Sequence, residues 1–308
     1  MRLDRFITLT FVRPFRRACD ALVTQPASVG NSLPILMYHS ISAAAESNVP
    51  AYYRTCTAPK VFAQHLSALK SAGYCGVDLS TGLAWLQSQA NGQRPTPNGN
   101  VRPVVLTFDD GFRDFHTQAL PLLVNLGFTA TMFLPSQFIK NVCQSFQGRE
   151  YMCWADVLEA VKHGVQVGTH TASHTDLRHL AWSDVVNELR ECRICLEDRL
   201  GTPVTSFSYP FGFPLADKSF CRQLRVVLAE CGYQNCLTTI IGRVQKGDDL
   251  FALRRLPVNG ATDPAFLLAK ISGFYDWMRQ PQLLSKSLKH FFRQPPAGLG
   301  LTRIADNE

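Results

Sequence analysis

No apolar run in this sequence is long enough to cross a bilayer. The longest near the start, Phe6–Val12, has seven residues, against the roughly 20 that a spanning helix needs. Arg13, Arg16 and Arg17 follow it at once, where a secretory signal would place small residues, so no conventional signal peptide is expected. G-x-S-x-G, a Walker loop and a dinucleotide fingerprint are also missing. Their absence counts against serine hydrolase, nucleotide and NAD chemistry. Charge is sparse: 18% of residues are charged, with a net charge of +7. The excess is concentrated at the ends. Arg2, Arg5, Arg13, Arg16 and Arg17 face Asp4 alone, and the tail carries Lys286, Lys289, Arg293 and Arg303. No basic stripe with interleaved aromatics runs through the chain, so no nucleic-acid partner is expected. The ten cysteines are scattered, and the C-x-x-C of Cys192 and Cys195 has no partner pair at zinc-finger spacing. They read as free buried thiols in a reducing compartment. A cytoplasmic or membrane-peripheral location follows, with the periplasm and the exterior left open.

Hydrophobic residues make up 46% of the 308, enough to bury a real core. Residues 1–33 read as a basic amphipathic extension. Leu3, Phe6, Ile7, Phe11, Phe15 and Ala18 share a helical face, the five arginines lie opposite, and Pro14 kinks or ends the helix. Such a helix packs on the domain or lies in an anionic membrane surface. A strand at Leu33–Tyr38 leads to His39, and Val61–Ala72 has helical spacing. Asn91–Asn100 is a polar, Pro/Gly-rich surface loop.

Strands and helices then alternate. Strands are expected at 103–106, Ala130–Leu134, Val165–Val167, Val204–Ser208, Asn235–Thr239 and Leu253–Val258. Helices are expected at Ala119–Leu126, Trp154–His163, Trp182–Leu200 and Cys221–Cys231. This pattern gives an α/β fold of parallel units. Asp109-Asp110, His170-His174 and Tyr209-Pro210-Phe211 each follow a different strand. A barrel gathers all such loops at one end, so a barrel is preferred to an open sheet. Beyond residue 262, Ala265–Gln280 and Gln282–Arg293 read as basic amphipathic helices. The domains are therefore 1–33, 34–262 and 263–308.

Neighbouring carboxylates repel, and a metal ion is the commonest reason to hold two together. His170 and His174 can meet one ion if the turn after their strand is helical, because residues four apart share a face. One Asp and two His leave coordination positions open for water and substrate. One carboxylate then ligates while the other takes a proton.

Thr107–Gly111 resembles the first motif of the polysaccharide deacetylases of the NodB-homology family, carbohydrate esterase family 4. His170–His174 resembles the second and Ser208–Gly212 the third, while Pro34–Ile41 is similar to the opening strand of many members. The resemblance covers about residues 34–260. It implies a distorted β/α barrel that removes N-acetyl groups from an amino-sugar glycan using one divalent ion, zinc first among the candidates. By the same resemblance Asp109 is the general base, and Asp110, His170 and His174 are the metal ligands. The Phe211 backbone N–H holds the oxyanion in a loop shaped by Pro210. His39 and Tyr209 are expected to meet substrate.

Three departures stand out. Ser208 occupies the place of an arginine that braces the base in many members, and Arg254 or Arg255 is expected to supply that charge instead. The late Leu-x-His motif has no counterpart, His290 falling in the tail. The aspartate-tryptophan motif is not recognisable, since Asp276-Trp277 comes too late. Two other readings are a deacylase or deformylase acting on a lipid-linked amino sugar at a membrane surface, and a degenerate metal-bearing glycan-binding protein.

Overall fold

The computed structural model describes residues 2–22, 32–44, 46, 48–88, 102–146 and 148–285. The expected loop at Asn91–Asn100, His290 and the tail from Lys286 onward lie outside these residues, as does most of the Gln282–Arg293 helix.

Eight parallel strands carry the fold: β1 Ile35–Tyr38, β2 Tyr74–Val77, β3 Arg102–Phe108, β4 Thr131–Leu134, β5 Gln166–Thr169, β6 Ser206–Ser208, β7 Asn235–Ile241 and β8 Leu253–Pro257. Seven close a ring in the order β1, β3, β4, β5, β6, β7, β8 and back to β1. The eighth, β2, pairs with the first half of β3, before β4 takes up the second half. The expected (β/α) barrel is thus the observed fold. Strand β2 and the helix Leu79–Ser88 were not foreseen. Tyr74-Cys75-Gly76-Val77 is too short for its alternation to stand out.

A strand's period of two decides what fills the barrel. Ile35, Val105, Phe133, Leu237 and Leu253 join Leu33 and Val244 in one apolar cluster. Leu36, Leu106, Met132 and Leu134, on the alternate face, belong to the larger core with Phe62, Leu66 and Leu123 from the surrounding helices. Gly168 on β5 keeps the ring tight, because a Cβ there would lie 2.4 Å from the Phe133 ring. Counting on by two from this apolar plug gives Thr107 and Asp109 after Val105, and Arg255 after Leu253. The barrel turns polar as it approaches the C-terminal ends of its strands.

The chain ends pack on one another and on the barrel. The Tyr275 hydroxyl donates to Asp4 Oδ2 at 2.7 Å, and Trp277 Nε1 donates to Thr8 Oγ1 at 3.1 Å. Arg5 pairs with Asp263, and Arg16 donates to the Gly273 carbonyl at 3.1 Å. The polarity expected of the N-terminal helix is therefore reversed in part. Arg2, Arg5 and Arg16 bind the domain, whereas Leu3, Phe11 and Phe15 are exposed. Polar partners for the arginines on the domain, Asn259, Asp263 and the Gly273 carbonyl, outweigh the apolar stripe. The helix also runs on past Pro14, after a π-helical stretch at Thr8–Val12 that opens the backbone just ahead of the proline. Further along, Gln282 reaches β7. Its Oε1 accepts from the Ile241 N–H at 2.9 Å, and its Nε2 donates to the Thr239 carbonyl at 2.8 Å.

Candidate active site

The sequence-derived site residues converge at the mouth of the barrel. A cavity of about 490 Å³ is lined by His39, Asp109, Asp110, His170, His174 and Phe211, with Tyr209 also at its edge. Among the described residues, four non-glycine residues have positive φ: Asp110 (74°), Thr171 (61°), His174 (55°) and Phe211 (60°). Three line the cavity and the fourth lies between its two histidines. Backbone strain of this kind costs about 1–2 kcal/mol per residue and persists only where surroundings enforce it.

Asp109 is 3% exposed and points inward. Arg255 Nη1 donates to its Oδ1 at 2.8 Å. Nη2 lies 2.8 Å from Oδ2, an ion-pair contact without hydrogen-bond alignment. The Ser208 hydroxyl adds weak contacts at 3.3 and 3.4 Å. Burial alone would raise the Asp109 pKa, but Arg255, then His170, more than offset it, and the carboxyl is held below its ordinary value. Arg255 is itself fixed by the Thr238 carbonyl at 3.0 Å. Arg254, one residue earlier and on the other face of β8, pairs with Asp248. Of the two arginines considered, Arg255 is the one beside Asp109.

Asp110 turns the other way. His170 Nε2 lies 3.3 Å and His174 Nε2 3.1 Å from its Oδ1. His170 Nδ1 is 2.7 Å from the Ser208 carbonyl, which only accepts. Nδ1 therefore carries a proton, and Nε2 is the nitrogen that faces Asp110. Burial would raise the Asp110 pKa, but hydrogen bonds from His170 and His174 hold it well below the usual value. One ligand atom from each of the three residues lies within 4.8 Å of the others. Two imidazole nitrogens and a carboxylate oxygen converging in this way suit one divalent ion with open positions.

The histidines do not meet through a helical turn, as the spacing suggested. Residues 170–174 form a loop bent by left-handed Thr171 and His174. Glu188 holds that loop, accepting from Ser173 N at 2.9 Å and Ser173 Oγ at 2.7 Å. Asp114 has a tethering place: it accepts from the Ser40 hydroxyl and from Ile41 N, tying the loop after β1 to the loop after β3.

Tyr209 is fully buried, and its ring packs against Phe213 and Phe220. Pro210 is buried beside it, while Phe211 is 52% exposed with its ring 4.8 Å from that of His174. His39 faces the cavity. Burial is the main influence lowering its pKa, with Asp110 and Asp109 pulling the other way, so the ring is neutral near pH 7. Sequence reasoning missed Tyr52, Tyr53, Asn259 and Gln282 in the cavity wall. The adjacent tyrosines, in an irregular segment following a strand, were the one available signal.

Paired acids and paired histidines thus gather in one polar pocket at the C-terminal mouth of a parallel barrel, where such folds place their active sites. Comparison with known proteins supplies the class. Residues 96–236 match the family model described as polysaccharide deacetylase. The "Putative polysaccharide deacetylase YxkH" of Bacillus subtilis (strain 168) is 26% identical over 235 residues, covering 76% of this chain and 74% of that protein. Among solved structures, the Streptococcus pyogenes deacetylase PplD in complex with acetate superposes with a TM-score of 0.63 at 23% identity, covering 78% of this chain and 98% of that one. IcaB from Ammonifex degensii gives 0.62 at 20% identity, covering 79% and 98%. The two structures share the fold of this chain. The protein is a hydrolase acting on non-peptide amide bonds.

Proposed function

We propose that this chain removes N-acetyl groups from an amino-sugar glycan, with Asp110, His170 and His174 holding a divalent ion, zinc first. The carrying observation is the division of labour in the acid pair: Asp109 is clamped by Arg255 and Asp110 faces two imidazoles. When bound, the ion supplies Lewis acidity and brings the pKa of water towards neutrality. Asp109, kept ionised by Arg255, takes the proton of the attacking water. The Phe211 N–H, in its left-handed turn, meets the oxyanion as the carbonyl becomes tetrahedral. Asp109 then returns the proton to the departing amine, which accounts for the missing Leu-x-His motif. Neutral His39 and the Tyr52-Tyr53 pair orient the sugar.

Acetate release from chito-oligosaccharides and poly-N-acetylglucosamine tests this reading, comparing wild type with Asp109→Asn and His174→Ala. Unchanged turnover in either variant would sink the assignment.

A second reading, a lipid-linked amino sugar handled at a membrane surface, is favoured by a particular groove. It has a volume of about 900 Å³, is lined by Leu3, Ile7, Tyr52, Trp277 and Met278, and shares Tyr52 with the catalytic cavity. Exposed Leu3, Phe11 and Phe15 lie on the same N-terminal segment. Co-sedimentation with anionic liposomes tests it: Leu3→Glu/Phe15→Glu should abolish partitioning, and equal partitioning removes the idea.

A further inference from the structure

A second group of metal-binding side chains lies outside the catalytic set. Cys143 precedes the hairpin formed by Ser145–Phe146 and Arg149–Glu150. Cys153 caps the helix Trp154–Lys162, and Asp156 stands in its first turn. The Cys143 thiol is 3.2 Å from Asp156 Oδ2, and Asp156 Oδ2 also accepts from Cys153 N at 3.3 Å. One ligand atom from each of these three residues lies within 4.8 Å of the others. His116, on the helical turn Phe115–Ala119, stands beside this group on the Asp156 side, with Nδ1 3.4 Å from Asp156 Oδ1, and would turn onto the ion as a fourth ligand.

His116 shows what the group lacks. Its Nε2 is 3.0 Å from Glu159 Oε2, and an ionised carboxylate only accepts, so Nε2 carries the proton. In the neutral ring Nδ1 is then a bare lone pair. It is buried, has no hydrogen-bond partner and faces another acceptor, Asp156 Oδ1. Two acceptors at that distance repel unless a proton or a metal ion sits between them. A carboxylate holding the far N–H of an imidazole is also the usual outer support of a metal-bound histidine. Tetrahedral zinc bonds of 2.0–2.3 Å give ligand–ligand edges of about 3.3–3.8 Å. The approach of the Cys143 sulfur to Asp156 Oδ2, 3.2 Å, is close to that range.

We propose that Cys143, Cys153, Asp156 and His116 form a second zinc site with a structural role. Four protein ligands close the coordination sphere, which excludes water and substrate, and the thiolates select zinc over magnesium or calcium. Both thiols lose their protons on binding. Two thiolates and a carboxylate against a dication leave one negative charge. Arg113 balances it, with Nε 3.2 Å from Asp156 Oδ2. The site would pin the hairpin and the helix start to the turn that follows the catalytic acids. Backbone bonds already join these parts, from Arg113 N to the Glu150 carbonyl at 2.8 Å and from Met152 N to the Gly111 carbonyl at 3.0 Å.

Zinc content of the full chain, together with cobalt spectra, tests the proposal. Wild type should carry two zinc ions per chain, and His174→Ala should carry one. Cobalt-loaded His174→Ala should show a near-ultraviolet thiolate-to-cobalt band, and adding Cys143→Ser/Cys153→Ser should abolish it. The cysteine double variant alone should keep one zinc and its acetate release, but melt at a lower temperature. No thiolate band in folded His174→Ala overturns the proposal, as does a Cys143–Cys153 disulfide in protein purified without oxygen. One zinc retained in His174→Ala but lost in the cysteine variant would uphold this site while refuting the catalytic ion, so the two readings fail separately.

Discussion

Replacing Arg255 by methionine would leave Asp109 buried with the weak Ser208 contacts and the more distant His170 ring as its remaining support. The pair is out of solvent, with side-chain exposures of 0% and 3%, so water and salt screen it little. Removing one partner of a buried pair costs about 3–5 kcal/mol. Asp109 can relieve part of that cost by taking a proton. At about 1.4 kcal/mol per pKa unit, ~3 kcal/mol corresponds to about two units. The acid limb of kcat/KM should therefore move upward by about two units in Arg255→Met. Arg255→Lys, which keeps the charge but not the planar fork, should shift it less. The same pair predicts a pH dependence of stability. The Asp109 pKa is lower folded than the ordinary 3.8, so the contribution is present above that value. It is lost as pH falls through the folded pKa. Acetate release measured across pH, alongside thermal melts, reads both effects. An unmoved acid limb in a folded Arg255→Met protein would refute Arg255 as the group that keeps Asp109 ionised.

Asp109→Asn should lower kcat by about 10²–10⁴ while metal content stays at the wild-type level, as measured by turnover and elemental analysis. Phe211→Gly keeps the backbone N–H and removes the strain of positive φ, so kcat should fall by less than tenfold; a thousandfold loss would make the ring, not the N–H, the working group. Tyr53→Ala should raise KM several-fold for oligosaccharides with kcat little changed, which steady-state kinetics on chain-length series would show. Tyr275→Phe should lower stability by about 1–3 kcal/mol in urea titrations, since the buried Asp4 carboxylate loses a hydroxyl donor.

The barrel and the gathering of Asp109, Asp110, His170 and His174 at its mouth were legible because each rests on short-range pattern. Apolar runs end in Asp109-Asp110 and in His170, and a strand's end is where a barrel displays its chemistry. The brace was half legible. Sequence offered Arg254 and Arg255 equally, and only the register of β8 with the apolar plug turns Arg255 inward. The geometry joining His170 to His174 was misread, because left-handed φ at Thr171 and His174 comes from tertiary contacts such as Glu188 with Ser173, fifteen residues apart. The N-terminal helix misled for a similar reason. Its apolar stripe is real, but Asp263 and Gly273, over 250 residues away, draw the arginines inward. Gln282 gave no signal, since a lone amide in a polar tail looks like any other.

That glutamine has a consequence for assembly. Pairing of β7 with β8 changes register between Leu237 and Ile241, which opens the ladder at the barrel rim. The Gln282 amide fills the opening as a one-residue substitute for a strand, giving to Thr239 and receiving from Ile241. A protein cut at residue 262 would present those backbone groups to any extended peptide nearby. Exposed strand edges recruit other chains. The segment beyond the barrel thus acts as a guard against edge-to-edge association, and shortened versions should aggregate before they lose their fold.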